Sequence, residues 1–238
     1  MNTPRRRRRR GRGARPAGAP GGSNGAGVAG SPASAPGGGA SPAAGRVARV
    51  ERKTRETEIL LQLNVDGAGE AAVETTIPFF NHMLEAATKH GLLDLRVTAR
   101  GDTEVDLHHT VEDVGICLGK AFHEALGDKR GIVRFGTSYV PMDEALASVH
   151  VDVSGRPYLS YSVPLAKTKV GNFDLGLLQD FFRAFAMNAM LNLHVNLQYG
   201  ENLHHIAEAI FKAFGRALAE ASRVNPRIAG VLSTKGAL

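Results

Sequence analysis

Histidine and glutamate recur in this chain at a spacing that suits metal chemistry. The stretch Asp106-Leu107-His108-His109-Thr110-Val111-Glu112 returns 96 residues on as Asn202-Leu203-His204-His205-Ile206-Ala207-Glu208. Each copy opens with a residue type that caps helices, Asp or Asn. Each then places two adjacent histidines in the first turn and a glutamate three residues after the second. Neighbouring residues on a helix project about 100° apart, so a paired His-His cannot readily chelate one ion. His108 and Glu112 are four apart and His109 and Glu112 three apart, so either pair can converge on one face. Adjacent histidines are therefore expected to serve different ions.

Two further histidines fall in equivalent places, His82 on a predicted helix and His194 on a predicted strand. Six imidazoles (His82, His108, His109, His194, His204, His205) and two carboxylates (Glu112, Glu208) divide into two sites of three nitrogens and one oxygen. That set leaves open positions on a six-coordinate ion. Imidazole and carboxylate without thiolate suit Mn²⁺, Fe²⁺, Co²⁺, Ni²⁺ or Zn²⁺ rather than Ca²⁺ or a cysteine-type zinc. The capped helix N-terminus is expected to keep these histidines neutral, because its dipole disfavours imidazolium. Neutral imidazole is the metal-binding form. A solvated helix start would explain one His-His pair; it does not explain two with the same cap, glutamate and place in a repeat. His90 reads as an outer or substrate contact, and His123 and His150 as structural. On spacing alone, Glu56 and Glu58 are charges of an edge strand.

The elements that carry these residues also repeat. Val47–Val65 reads as extended, turns at Asp66-Gly67-Ala68-Gly69, and pairs as a hairpin with a strand Ala71–Ile77. A helix Phe79–Lys89 follows Pro78, then a strand Leu92–Ala99, then a helix from Asp106 to about Leu126. The second half has strands at Gly131–Val140, Leu146–Val153 and Tyr158–Val163, and a helix Phe173–Met190. A strand Leu191–Leu197 and a last helix from Asn202 to about Ser222 complete it. Phe79-Phe80-Asn81-His82 parallels Phe181-Phe182-Arg183-Ala184, and Leu118-Gly119-Lys120 parallels Phe214-Gly215-Arg216. The expected architecture is α+β: two duplicated β-β-α-β-α half-domains, residues 46–130 and 131–238, each a mixed sheet with helices on one face.

Residues 1–45 are almost entirely Gly, Ala, Pro, Ser and Arg, with six consecutive arginines at Arg5–Arg10. Such a segment cannot form a core and is expected to be disordered. The chain carries +6 overall; residues 1–50 hold ten arginines and no acid, which leaves residues 51–238 at −4. The basic balance therefore belongs to the tail. A dispensable tail is preferred to a nucleic-acid arm or an import signal, which would be Ser-rich. No apolar run is long enough to span a membrane. The single cysteine, Cys117, excludes an intrachain disulfide, suits a reducing compartment, and sits in an apolar helical pattern. A cytoplasmic location follows.

With these residues in view, the chain from Arg46 to Leu238 resembles the imidazoleglycerol-phosphate dehydratase family. The resemblance rests on Arg52-x-Thr54-x-Glu56-Thr57, Phe79-Phe80-Asn81-His82-Met83-Leu84, Asp106-x-His108-His109-Thr110-x-Glu112-Asp113 and Arg134-Phe135-Gly136. It rests also on Asp143-Glu144-Ala145, Ser154-Gly155-Arg156-Pro157-Tyr158, His204-His205-x-x-Glu208 and Ser233-x-Lys235-Gly236. It implies a fold similar to domain 2 of ribosomal protein S5. It implies conversion of imidazole glycerol phosphate, a small phosphorylated imidazole, to imidazole acetol phosphate and water in histidine biosynthesis. It also implies two Mn²⁺ ions per active site, a 24-subunit homo-oligomer, and sites completed by neighbouring subunits. The metal ligands it implies are the eight residues above. His82 and His205 thereby count among the catalytic residues.

The resemblance further assigns Arg134, Arg156, Lys212, Ser233 and Lys235 to the substrate phosphate and makes Glu56 line the substrate. Two metals on a ring would favour its imidazolate and expel the neighbouring hydroxyl, with Glu208 or Glu56 as the base. Asn81 stands where the family commonly has Asp, and Ala86 where it has a phosphate-contacting Gln. With no phosphatase segment ahead of the dehydratase motifs, the chain is expected to be monofunctional. Two rivals exist. A di-metal phosphate-ester hydrolase needs its ions roughly 3.5–4 Å apart. A non-enzymatic nucleic-acid-binding or metal-storage protein would rest on the tail or the histidines.

Overall fold

The computed structural model describes residues 45–165 and 168–238. Residues 1–44, the bulk of the tail expected to be disordered, lie outside the described residues. The first half contains β1 (Val47–Lys53), β2 (Thr57–Asn64), β3 (Ala71–Glu74), α1 (Pro78–Gly91), β4 (Asp94–Gly101) and α2 (His108–Leu126). The second contains β5 (Phe135–Met142), β6 (Ala145–Asp152), β7 (Tyr158–Ser162), the two-residue strands β8 (Lys169–Val170) and β9 (Phe173–Asp174), and α3 (Leu177–Ala189). It ends with β10 (Asn192–Tyr199) and α4 (Leu203–Ser222).

Each half builds a four-stranded sheet of the same order, β1-β2-β4-β3 and β5-β6-β10-β7. Three strands run antiparallel; the last pairs parallel, β3 on β4 and β7 on β10. A parallel neighbour needs a crossover, which α1 and α3 supply. The expected duplicated α+β architecture is what the chain forms, with one more strand in the first half than its pattern suggested. Val47–Val65 is two strands, not one. The chain turns at Thr54-Arg55-Glu56, where the Thr54 hydroxyl accepts the N–H groups of Glu56 and Thr57 at 3.1 and 2.9 Å. The expected hairpin of Val47–Val65 with Ala71–Ile77 is therefore replaced by β1–β2. The helix expected from Phe173 starts at Leu177, because Phe173 and Asp174 pair with β8.

Alternation explains the sheets. In β2, Thr57, Ile59, Leu61 and Leu63 are buried while the residues between them face outward. The helices lie on that buried face: α2 covers β1 and β2, and α4 covers β5 and β6. The halves interlock through their helices, since α1 packs on α4 and α3 on α2. Phe181 sits at this junction, its ring centroid 5.3 Å from that of Phe80 and 5.5 Å from that of Phe211. All three are fully buried, each contributing about 1.5–3 kcal/mol by leaving water.

Glycine permits the helix contacts. A side chain at Gly215 on α4 would collide with the Ala87 carbonyl of α1. At Gly119, the equivalent residue on α2, a Cβ would stand 2.5 Å from the Phe185 carbonyl of α3. Replacing Gly215 by alanine must push α1 off α4. Gly215→Ala is expected to lower stability by about 1–3 kcal/mol, measured as a shifted urea midpoint at unchanged slope. An unshifted midpoint would show that the approach is not tight.

Candidate metal centre

The interlocked helices bring three expected ligands together. His82 stands on α1, one turn past Pro78, which occupies the helix start. Asn81 anchors that turn: its side-chain oxygen accepts the Thr75 N–H at 3.0 Å and the Thr75 hydroxyl at 2.5 Å. His204 and Glu208 stand four apart on α4, whose N-cap Asn202 accepts the N–H groups of His204 and His205. The Glu208 Oε2 lies 3.2 Å from His204 Nε2 and 3.4 Å from His82 Nε2. One donor atom from each of the three lies within 4.8 Å of the others. Among the described residues no other such group of three forms. Two imidazole nitrogens and a carboxylate oxygen, without thiolate, can hold a divalent transition ion. Phe79 braces His204 edge-on at 5.5 Å.

Glu208 is nearly buried, at 12% side-chain exposure. Burial works to raise its carboxyl, but the Lys212 ammonium 2.7 Å from Oε1, with His82, outweighs it and holds Glu208 below the ordinary range. Glu208 is an anion as the cluster stands.

The equivalent place on α2 is only partly furnished. His108 Nε2 lies 3.4 Å from Glu112 Oε2. Across from them α3 carries Ala184 where α1 carries His82. Asp180, one turn earlier, comes within 3.6 Å of His108 Nδ1. Asp106 is not the cap residue itself: Leu107 is, and the Asp106 carboxylate accepts the His108 N–H at 2.8 Å.

The second histidine of each pair turns away from the first, with ring planes at 83° for His108–His109 and 90° for His204–His205. His109 Nδ1 lies 3.1 Å from both oxygens of Asp102. His205 Nδ1 lies 2.7 Å from Glu144 Oε2. These carboxylates raise both histidines above the ordinary imidazole range, Asp102 acting on His109 and Glu144 on His205. At these two histidines the carboxylates therefore oppose the helix N-terminus, which disfavours imidazolium. A formal charge at hydrogen-bond distance outweighs a helix-end partial charge.

His194 stands apart. It is exposed on β10, in register with His150 on β6 and Ser160 on β7, on the sheet face opposite α4. His150 bridges Ser148 and Thr137 at 3.2 Å. Within one chain the expected two complete sites of three nitrogens and one oxygen are therefore not assembled.

The candidate phosphate residues are also spread out. Arg134 and Ser233 share a cleft of about 500 Å³. The Arg134 guanidinium already forks onto Asp152 at 2.7 and 3.2 Å and donates to the Leu232 carbonyl. Arg156 is exposed in the Ser154-Gly155-Arg156-Pro157 turn. Lys235 is exposed and donates its N–H to Ser233. Lys212 lies 3.5 Å from the sulfur of Met142, at the far end of β5 from Arg134. Seven residue steps separate Phe135 from Met142, roughly 23 Å of strand. His90 lines a separate cleft of about 360 Å³ with Arg216 and Glu220. Partial burial, then Lys212 and Arg216, hold it below the ordinary imidazole range. Ala86 is buried one turn beyond His82 and offers no polar group. Glu56 sits at the β1–β2 tip, half-exposed, its Oε2 4.0 Å from His109 Nε2.

Spacing did not reveal Asp102, Asp143, Glu144 and Asp180 as neighbours of histidine. Nor did spacing reveal the part played by Asp113. Buried on α2, it accepts the Thr57 hydroxyl at 2.5 Å and pairs with Arg52 at 2.9 Å, tying the β1–β2 turn to α2. Cys117 is buried, its thiol pushed up to about 11 by that burial, so it is no nucleophile.

Comparison with known proteins identifies the family. A family model described as imidazoleglycerol-phosphate dehydratase matches residues 75–218. A protein of that name from Trichlorobacter lovleyi is 59% identical over 193 residues, covering 81% of this chain and 99% of its own. One from Geobacter metallireducens is 58% identical with the same coverage. The crystal structure of imidazoleglycerol-phosphate dehydratase from Staphylococcus aureus superposes with a TM-score of 0.68 at 44% identity, covering 75% of this chain and 99% of that one. The Pyrococcus furiosus enzyme superposes with a TM-score of 0.68 at 35% identity, covering 79% and 100%. Fold and sequence together place this chain among the hydro-lyases. It belongs to the imidazoleglycerol-phosphate dehydratase family.

The His205–Glu144 pair makes a pH-dependent contribution in metal-free protein. Glu144 is lowered to about 2, chiefly by His205, from an ordinary 4.5. Its contribution is present above 4.5 and is lost as pH falls toward about 2. His205 is raised from 6.5. Its contribution is present below 6.5 and is lost as pH rises through the raised value. NMR titration of metal-free protein is expected to put the His205 midpoint above 6.5 and to show it fall in Glu144→Gln. An unmoved midpoint contradicts the pairing.

Proposed function

We propose that the chain dehydrates imidazole glycerol phosphate to imidazole acetol phosphate in histidine biosynthesis, with two Mn²⁺ ions per active site. The observation that carries this reading is the convergence of His82, His204 and Glu208 in a chain of the dehydratase family. His82, His204 and Glu208 would hold one ion, and His108 with Glu112 would begin the second site. His109, His205 and His194, turned elsewhere in their own chain, would complete sites on neighbouring copies. When bound, the ions would supply Lewis acidity toward the substrate's imidazole ring.

The chain's own residues divide the remaining work. Arg134, Arg156, Lys212, Ser233 and Lys235 would hold the phosphate, arginine through a planar fork and lysine as a point charge. Lys212 and Arg134 stand at opposite ends of β5, so one phosphate cannot meet both within a single chain. That separation, with His194 on the outer sheet face, supports a large homo-oligomer whose active sites are shared between copies. Dehydration removes the hydroxyl on the carbon beside the ring and the proton on the next carbon; the resulting enol becomes the ketone. Both oxygens of Glu208 are engaged, by Lys212 on one side and the two histidines on the other. Glu56 is half-exposed, and its carboxylate comes no nearer than 4.0 Å to His109 Nε2. Glu56 is therefore the better-placed proton acceptor. Among the described residues no helix is long and apolar enough to cross a membrane. With the buried free Cys117, this accords with a cytoplasmic location.

The test is a dehydratase assay in which Mn²⁺ is restored to metal-stripped protein. Imidazole acetol phosphate should form only after restoration, and its absence would overturn the reading. Glu56→Gln should cut turnover by about 10²–10⁴-fold with Mn²⁺ affinity unchanged. Glu208→Gln should weaken Mn²⁺ binding itself. Lys235→Ala should mainly raise KM. An unchanged turnover in Glu56→Gln would return the base to Glu208.

A further inference from the structure

Both second histidines are held in the same way, with a carboxylate beside each ring nitrogen. In the first half the ring of His109 lies between Asp102 on Nδ1, at 3.1 Å, and Glu56 near Nε2, at 4.0 Å. In the second half the ring of His205 lies between Glu144 on Nδ1, at 2.7 Å, and Asp143 near Nε2, at 3.8 Å. The carboxylate on Nδ1 comes from different places. Asp102 follows β4, while Glu144 forms the β5–β6 turn with Asp143. Sequence duplication alone therefore did not produce the match. The arrangement was reached twice with different residues, as a shared requirement on the ring would demand.

Each of these carboxylates is itself fixed. The Asp102 N–H donates to the Glu56 carbonyl at 3.0 Å, tying the turn after β4 to the β1–β2 tip. Glu144 Oε1 accepts the N–H groups of Asn202 at 2.8 Å and Glu201 at 3.3 Å, tying the β5–β6 turn to the start of α4. Its other oxygen faces His205. Asp143 occupies the left-handed region, with φ 48°, which lets the chain turn there in two residues. The first histidines are treated differently. His108 and His204 each put Nε2 against the glutamate four residues on.

A carboxylate accepting from Nδ1–H fixes the tautomer that leaves Nε2 as a lone-pair donor. It also fixes the direction in which that lone pair points. We propose that Asp102 and Glu144 are positioning residues: they hold the Nδ1–H of His109 and His205 so that each Nε2 faces away from its own chain's cluster, ready to ligate an ion. This rests on the reading that His109 and His205 are metal ligands.

The experiment measures Mn²⁺ affinity of the full-length, metal-stripped protein by isothermal titration, with no substrate present. Asp102→Asn and Glu144→Gln keep size and hydrogen-bonding capacity while removing the charge. Each is expected to weaken Mn²⁺ binding by about 10–100-fold. In a His109→Ala background, Asp102→Asn should have no further effect, and likewise Glu144→Gln in His205→Ala. That background comparison decides the matter even where a single variant loses stability, because a purely structural loss would persist without the histidine. Unchanged Mn²⁺ affinity in Asp102→Asn and Glu144→Gln, with His109→Ala and His205→Ala both weakened, overturns the positioning role and leaves the ligand assignment standing. Unchanged affinity in the two histidine variants overturns both.

Discussion

Where α1 crosses α4, two backbones meet with no side chain between them. Gly215 on one helix faces the Ala87 carbonyl on the other, and Gly91 returns the contact with its own missing side chain 2.7 Å from the Gly215 carbonyl. This approach sets the reach of His82. An imidazole spans only a few bonds, so a helix displaced by the width of one methyl group would separate His82 from Glu208 beyond ligand distance. The aromatic core enforces the same approach from beneath. Phe80, Phe181, Phe211 and Phe214 gain more by leaving water than any single polar contact above them contributes. Apolar burial thus determines where the polar donors stand.

Charge then determines what the donors are. Glu208 is nearly buried, and burial alone would raise its carboxyl. Lys212, at 2.7 Å, reverses that. Removing Lys212 would take away the charge that most opposes burial at Glu208. The same rule operates at the rim, where Asp102 follows β4 and Glu144 lies in the β5–β6 turn. There Asp102 and Glu144 raise His109 and His205 against the helix ends, which disfavour imidazolium. The clusters are therefore of two kinds, one inside the helix pairs and one at the rim. A single chain offers both kinds but joins only the first.

The duplicated α+β fold and the pairing of His204 with Glu208 were legible in the sequence because both are periodic. His-His-x-x-Glu has a fixed offset, and Leu118-Gly119-Lys120 against Phe214-Gly215-Arg216 marks the same helix twice. The β1–β2 turn was not legible. Its residues, Thr54-Arg55-Glu56, continue an unbroken charged run, and the turn is made by the Thr54 hydroxyl rather than by glycine or proline. The parallel pairing of β3 was hidden for a similar reason: Asp66-Gly67-Ala68-Gly69 has turn chemistry, but the turn does not decide which neighbour the next strand takes. Asp102 and Glu144 were invisible as partners of histidine, since their contacts span 7 and 61 positions and carry no helical or strand period. The swap that packs α1 on α4 and α3 on α2 is likewise a tertiary fact. Local pattern reports only that all four helices have an apolar face.

The measurement that bears most directly on this account is a crystal structure of the Mn²⁺-loaded full chain, with anomalous scattering collected at the manganese edge. The account predicts an anomalous peak at coordination distance from His82 Nε2, His204 Nε2 and a Glu208 oxygen, with His109 and His205 ligating through Nε2 at sites shared with neighbouring copies. A structure whose manganese lies elsewhere, with those three side chains unligated, would contradict it.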